Sequence, residues 1–179
     1  MSKPIIETPR LLLRQFTLDD AAAFLRLGSD PQIIRYTGDP GTLKTLDDAR
    51  MVLTTRPIAD YQKHGYGRWA CVLKSSQEVI GFAGLKYLDD LDEVDIGYRF
   101  FPEFWGQGLA TEASRPAVEY GFTQLKLPRI IGLVDPDNTA SVRVLQKLGL
   151  TYVETFDYRG IRTAKYLIDQ ISTITSASH

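Results

Sequence analysis

Between Asp95 and Ala113 the chain reads D-I-G-Y-R-F-F-P-E-F-W-G-Q-G-L-A-T-E-A. An alternating strand over 93–101 stops at Pro102. A helix over 107–125 then begins beside two glycines. Any fold this chain adopts must bring the N-terminus of a long helix to the end of a strand, through a loop with little side-chain bulk. Gly106, Gly108 and Ala110 let the backbone approach a ligand closely. The first amides of the helix have no intrahelical acceptor, and together with the helix dipole they favour an anion. A phosphate or pyrophosphate is the expected one.

Two common phosphate loops are excluded by their own requirements. A P-loop needs Gly-Lys-Ser/Thr, and the chain has none here. A dinucleotide fingerprint needs a third small residue after Gly106-x-Gly108, where Thr111 stands, and a parallel βαβ setting. Taken alone, the two glycines are also compatible with a turn and a helix cap and nothing more.

The rest of the chain supplies one α+β unit over 1–179. At 179 residues there is little room for a second domain, and no Pro/Gly/Ser-rich linker divides it. Leu11 to Phe16 reads as a strand. Thr17 with Asp20 and Thr45 with Asp48 resemble capping boxes that open helices, the second broken or kinked at Pro57 and running on to His64-Gly65. Strands follow over 68–73, 79–87 and 93–101, as an antiparallel meander. After the long helix, in which Pro116 introduces a bend, come a strand over 129–134, a helix over 139–148 closed by Gly149, and a hairpin over 151–168. The count is about seven strands and four helices. The small polar tail 172–179 is expected to fray.

Charge and cysteine content narrow the functional classes. Twenty-one basic against 22 acidic side chains leave a net charge of -1, without the global basic field of a nucleic-acid binder. A single cysteine, Cys71, forbids an internal disulfide and fits a reducing, cytoplasmic setting. No apolar run is long enough to span a membrane, and no apolar signal core opens the chain. Two separated histidines and one cysteine make no metal cluster.

Trp105-Gly-Gln-Gly-Leu-Ala110 resembles the pyrophosphate loop of the GNAT acyl-CoA N-acyltransferases. Ala-Thr-Glu-Ala at 110–113 is similar to the ribosomal-protein N-terminal acetyltransferase-like branch. So are Glu7-Thr-Pro-Arg-Leu-Leu-Leu-Arg14, Asp95-Ile-Gly-Tyr98, Asn138-Thr-Ala-Ser141 and Leu145-Gln-Lys-Leu-Gly-Leu150. The resemblance spans roughly residues 6–168 in the family's order. It implies a mixed, mostly antiparallel sheet whose fourth and fifth strands splay around coenzyme A. The pantetheine amides would pair with the backbone near Phe100 and Phe101. The pyrophosphate would sit on the loop at Gly106, Gln107, Gly108, Leu109, Ala110 and Thr111. Asn138 would hydrogen-bond the pantetheine arm, and Ser141 would lie near the sulfur. An amine, either a protein N-terminal amine or a small molecule, would attack acetyl-CoA directly. The implied partners are that amine alone, with no metal, nucleic acid or membrane, on a monomer or homodimer.

The chemistry sets further expectations. An alkylammonium must lose a proton before attack, through a carboxylate or a water chain; Asp95 is a candidate base or orients the nucleophile, or is a polar residue on the strand face opposite Val94, Ile96 and Tyr98. The oxyanion needs a donor, expected from a strand N–H. Many relatives place a Tyr four residues beyond the position of Ser141, where this chain has Leu145, so Ser141 is the candidate proton donor to sulfur. Glu112 reads as a first-turn helix cap, Cys71 as core, and Asn138 as both cap and contact. Tyr36, Trp69, Tyr98 and Trp105 are candidate walls of an acceptor pocket or core residues. A CoA-binding regulatory module with little catalysis is the alternative, carried by Leu145 and by Asp in place of Glu at 95.

Overall fold

The computed structural model of the chain describes residues 2–38 and 41–170. The tail expected to fray lies outside the described residues. A single eight-stranded sheet organises the rest, in the order β1-β2-β3-β4-β5-β6-β8-β7. The strands are β1 (Pro4–Glu7), β2 (Leu11–Arg14), β3 (Arg68–Leu73), β4 (Glu78–Leu88), β5 (Glu93–Phe100), β6 (Arg129–Val134), β7 (Thr151–Tyr158) and β8 (Ile161–Asp169). The helices are α1 (Ala21–Ser29), α2 (Pro31–Ile34), α3 (Leu46–Thr55), α4 (Pro57–His64), α5 (Leu109–Thr123) and α6 (Thr139–Lys147). This is a mixed α/β architecture with a mostly antiparallel sheet.

The sequence reading missed β1, because Pro4 and the charged ends of Pro-Ile-Ile-Glu hide its short apolar centre. Of the two readings of Pro57, a break or a kink, the structure shows the break: Pro57 opens a new helix as its first residue, where a missing N–H costs nothing. The one-turn α2 begins in the same way at Pro31, with Asp30 accepting the Gln32 amide. At Thr45 the capping box forms as read: Thr45 Oγ1 accepts from the Asp48 amide at 3.1 Å, and Asp48 accepts the Thr45 amide at 2.9 Å.

At Thr17 the arrangement is different. Asp20 accepts the Thr17 amide at 2.8 Å, but its carboxylate also grips Arg14 through two hydrogen bonds, of 2.8 and 2.9 Å. Both side chains are almost fully buried. A one-turn 3-10 segment, Leu18–Asp20, precedes α1 there.

Helix α5 lies on the sheet through Leu109, Ala113 and Ala117, spaced at i, i+4 and i+8, each nearly inaccessible. The small alanines let the helix axis come close to the strands. The core on this face includes Leu85, Ile96, Phe122 and Ile130. A smaller cluster of Phe16, Ala21, Ala49, Leu53 and Ala70 sits where α1 and α3 cover the other face. Pro116 is accommodated inside α5 without ending it. Cys71 is fully buried, as expected of a core residue.

Candidate active site

The sheet is antiparallel up to β5. There it turns parallel, and the pairing almost stops: β5 meets β6 in register only at Asp95↔Ile131. Past that point the two strands have no registered partner on each other. Phe101 donates its amide to the Ile80 carbonyl at 3.0 Å, which fixes the alternation of β5. The main-chain groups of Phe101, Arg99 and Gly97 face β4. Those of Tyr98 and Phe100 face the opening towards β6. The Phe100 carbonyl is taken by Trp105 Nε1 at 2.8 Å. The amides of Tyr98 and Phe100 therefore remain as donors along the gap. This narrows the expectation for Phe100 and Phe101. The Phe101 N–H donates to Ile80 and its carbonyl already accepts from Phe104, so of this pair the N–H that faces the gap is that of Phe100.

The loop after β5 has the open amides its sequence suggests. Gly106 and Gly108 adopt φ of +74° and +78°, a left-handed conformation that side chains disfavour. Gly108 is the N-cap of α5, and the first helical bond runs from the Glu112 amide to its carbonyl. No amide from Gly106 to Thr111 donates to an acceptor among the described residues. Gly106, Gln107 and Gly108 are exposed, Ala110 and Thr111 half-buried, and Leu109 buried as the anchor of the helix. This is a row of unpaired N–H groups at the positive end of a 15-residue helix.

Charged side chains hold both ends of that loop. Arg10 donates to the Gln107 carbonyl at 3.0 Å and to Glu112 Oε2 at 2.7 Å through Nε. Glu112 Oε1 accepts from the Thr8 hydroxyl at 2.8 Å and from the Arg10 amide at 2.9 Å. Burial raises the Glu112 carboxyl, but these donors outweigh it and hold it below the ordinary range. Glu112 is thus more than a first-turn cap, because it ties α5 to the segment before β2. At the other end Arg26 pairs with Glu103 through two 2.7 Å bonds and lies 4.0 Å above the Phe101 ring.

Across the gap, Asn138 caps α6 by accepting the Ser141 amide at 3.2 Å. Its Nδ2 has no partner among the described residues, which leaves a donor free beside the cap. The Tyr98 hydroxyl donates to the Ser141 carbonyl at 2.7 Å, bridging β5 and α6. Burial pushes the Tyr98 phenol far above its usual value, so it stays protonated. Ser141 Oγ makes no hydrogen bond among the described residues, and the residue is half-buried. Leu145, one turn on, is buried against Gly132 in β6, which explains why this position carries no acid.

Asp95 has a structural role that the sequence alone does not show. It is buried, Oδ1 accepts the Leu133 amide at 3.1 Å, and Oδ2 pairs with Arg68. Burial pushes its carboxyl up, while Arg68 and the Leu133 amide pull it down. Each oxygen accepts from one protein donor inside the sheet, so the structure gives Asp95 an ion-pairing role that links β3, β5 and β6. Of the four aromatics read as pocket walls or core, at least one is core. Trp69 is core, edge-on to Tyr120 at 5.2 Å, while Trp105 is half exposed and Tyr36 lies beside Arg35. The residues missed from sequence are Arg10 and Arg68. Each acts at long range in the chain, and only the Thr-Pro-Arg and Gly-Arg contexts were visible.

A sheet that parts beside a helix with unpaired N-terminal amides offers an anion a set of open donors, and comparison with known proteins gives the class. Residues 10–151 match the family model described as the acetyltransferase (GNAT) domain. The chain is 37% identical over 147 residues to the uncharacterized N-acetyltransferase YoaA of Bacillus subtilis, covering 82% of each. A GNAT-family acetyltransferase structure from Bacillus anthracis superposes with a TM-score of 0.77 at 26% identity, over 93% of this chain and 98% of that one. RimL, a ribosomal-protein alpha-N-acetyltransferase solved in complex with coenzyme A, shares the fold with a TM-score of 0.78, covering 93% of this chain and 98% of that chain at 18% identity. The chain belongs to the GNAT acetyltransferase family, and it is an acetyltransferase enzyme.

Proposed function

We propose that the chain transfers an acetyl group from acetyl-CoA to a primary amine, with the cofactor lying between β5 and β6. The observation that carries this reading is the coincidence of two sets of unpaired donors. The amides of Gly106 to Thr111 offer a seat for the pyrophosphate, and those of Tyr98 and Phe100 line the gap that leads from it. A pantetheine arm laid there would complete β5 as a missing strand does. Asn138 Nδ2 faces the same arm in this reading, and RimL, which shares the fold, is solved in complex with coenzyme A.

In the reaction, the neutral amine nitrogen forms a bond to the thioester carbon, and the C–S bond breaks with its electron pair going to sulfur. The excess proton of the ammonium leaves through water. A β5 amide facing the gap stabilises the oxyanion. The thiolate, with a solution pKa of about 8.5, can leave without an acid, so protonation by Ser141 accelerates the step but does not license it. The acceptor class extends from a protein N-terminal amine, as in the RimL-like branch, to a small amine. The free buried Cys71 is compatible with work in the cytoplasm.

Thiol release from acetyl-CoA, run against a panel of amines and N-terminal peptides, tests the activity and selects the acceptor. In the same assay Ser141→Ala is expected to lower kcat by about 10- to 10³-fold, with a smaller change in KM for acetyl-CoA, because donation to sulfur strengthens only as charge develops there. An unchanged kcat at a pH where chemistry limits the rate removes Ser141 from the mechanism. Release with no amine on a broad panel, despite tight CoA binding, favours the regulatory module instead.

A further inference from the structure

The point at which β5 and β6 part is set by a side chain from a third strand. Arg68, at the start of β3, stands opposite Gly84 on β4, and Gly84 stands opposite Gly97 on β5. The row Arg68–Gly84–Gly97 leaves two adjacent positions without side chains, and the guanidinium lies along them. A Cβ on Gly97 would come within 2.4 Å of Arg68 Cζ. From this position Nη1 donates to the Gly84 carbonyl at 2.7 Å and the Asp95 carbonyl at 2.9 Å, while Nη2 pairs with Asp95 Oδ2. The other carboxylate oxygen accepts the Leu133 amide. A side chain thus takes the β6 donor that would otherwise continue the ladder with β5, and registered pairing ends at Asp95↔Ile131.

We propose that Arg68 is a positioning residue for the acyl donor, holding Asp95 so that the strands separate at a fixed place and the thioester comes to rest at a fixed depth. The inference rests on the reading that the pantetheine arm lies in this gap. The guanidinium fork is essential to it, since one planar group serves two carbonyls and a carboxylate at once. A lysine has a single compact ammonium and cannot match that geometry. If the Asp95 carboxylate rotates, the Leu133 amide is freed to pair elsewhere, the gap changes its closed end, and the donors of Tyr98 and Phe100 no longer meet the arm at the same spacing.

Two variants keep both charges and so avoid leaving a buried ion alone. Arg68→Lys removes the fork, and Gly97→Ala crowds the guanidinium from β5. Calorimetry with coenzyme A and with 3′-phospho-ADP, the part of the cofactor that lacks pantetheine, separates positioning from general stability. Both variants are expected to weaken coenzyme A by roughly tenfold, the scale of one or two lost hydrogen bonds to a charged group, while leaving 3′-phospho-ADP unchanged. Exchange at the Leu133 amide should quicken in parallel. Equal weakening of both ligands, or unchanged affinity for coenzyme A in both variants, overturns the assignment. A wild-type protein that binds 3′-phospho-ADP but gains nothing from pantetheine refutes the underlying placement of the arm, and is told apart because it needs no variant.

Discussion

Gly108→Asp is expected to abolish measurable coenzyme A binding in a protein that still folds. The position sits at φ +78° in the middle of the unpaired amides, and the nearest heavy atom to an added Cβ is Arg10 Nη2, 3.9 Å away. There is room for the side chain, and Arg10 offers it a counter-ion. The conformational cost of a non-glycine residue in this region is about 1–2 kcal/mol, which a protein of this size tolerates. Binding is affected far more. A carboxylate about 4 Å from a phosphate oxygen costs between ~1 kcal/mol in water and ~4 kcal/mol at an effective dielectric of about 20, for each phosphate charge. With two phosphates nearby, and added bulk over the amides, the expected rise in Kd is at least about 100-fold. Calorimetric titration checks it, with thermal melting as the folding control. A Kd within about threefold of wild type would mean that the pyrophosphate does not use this loop.

Asp20→Ala is expected to cost about 3–5 kcal/mol of stability. Arg14 and Asp20 are joined by two hydrogen bonds inside the protein, their side chains only 10% and 7% accessible. The Thr17 amide shares the same carboxylate, and Arg14 Nε already lacks a partner. Removing Asp20 strands a buried guanidinium with its remaining bond to the Gln15 carbonyl. For a chain of this length the loss corresponds to a fall in Tm of roughly 6–20 °C. Arg14→Met combined with Asp20→Leu should regain stability relative to Asp20→Leu alone, because no charge is then left unpaired. Equal melting of Asp20→Ala and wild type would show that solvent reaches Arg14 freely.

What the sequence made legible follows the range of the interactions involved. The strand–loop–helix at 93–125 and the Thr45 cap depend on residues a few positions apart, and both appear in the structure nearly as read. Pro57 was visible as a breaker, but whether it bends one helix or opens another depends on Arg56 leaving the helical region at φ -117° and ψ -89°, which no local pattern states. The site divides in the same way. The amides of 106–111 are a backbone property of a Gly-x-Gly turn and could be anticipated. The fate of Asp95 could not, because its partners are Arg68, 27 residues earlier, and Leu133, 38 residues later. Between Phe100 and Phe101 the limit is subtler. Alternation predicts that neighbouring residues of a strand face opposite edges, but only the Phe101–Ile80 hydrogen bond tells which of the pair faces the gap. Glu112 was read as a cap because its first-turn position is sufficient for that, while Thr8 and Arg10 lie more than 100 residues away in sequence.

In the proposed complex, acetyl-CoA lies in the gap between β5 and β6 with its pyrophosphate on the 106–111 loop. Hydrogen exchange measured by residue, with and without coenzyme A, tests it most directly. In the free protein the amides of Tyr98 and Phe100 face an opening with no ladder partner, and those of Gly106 to Thr111 donate to nothing in the described chain. Both sets should exchange fast and slow markedly when coenzyme A is added, whereas the Phe101 amide, held by Ile80, should be protected in both states. Equal exchange at Tyr98 and Phe100 with and without the cofactor would contradict the placement.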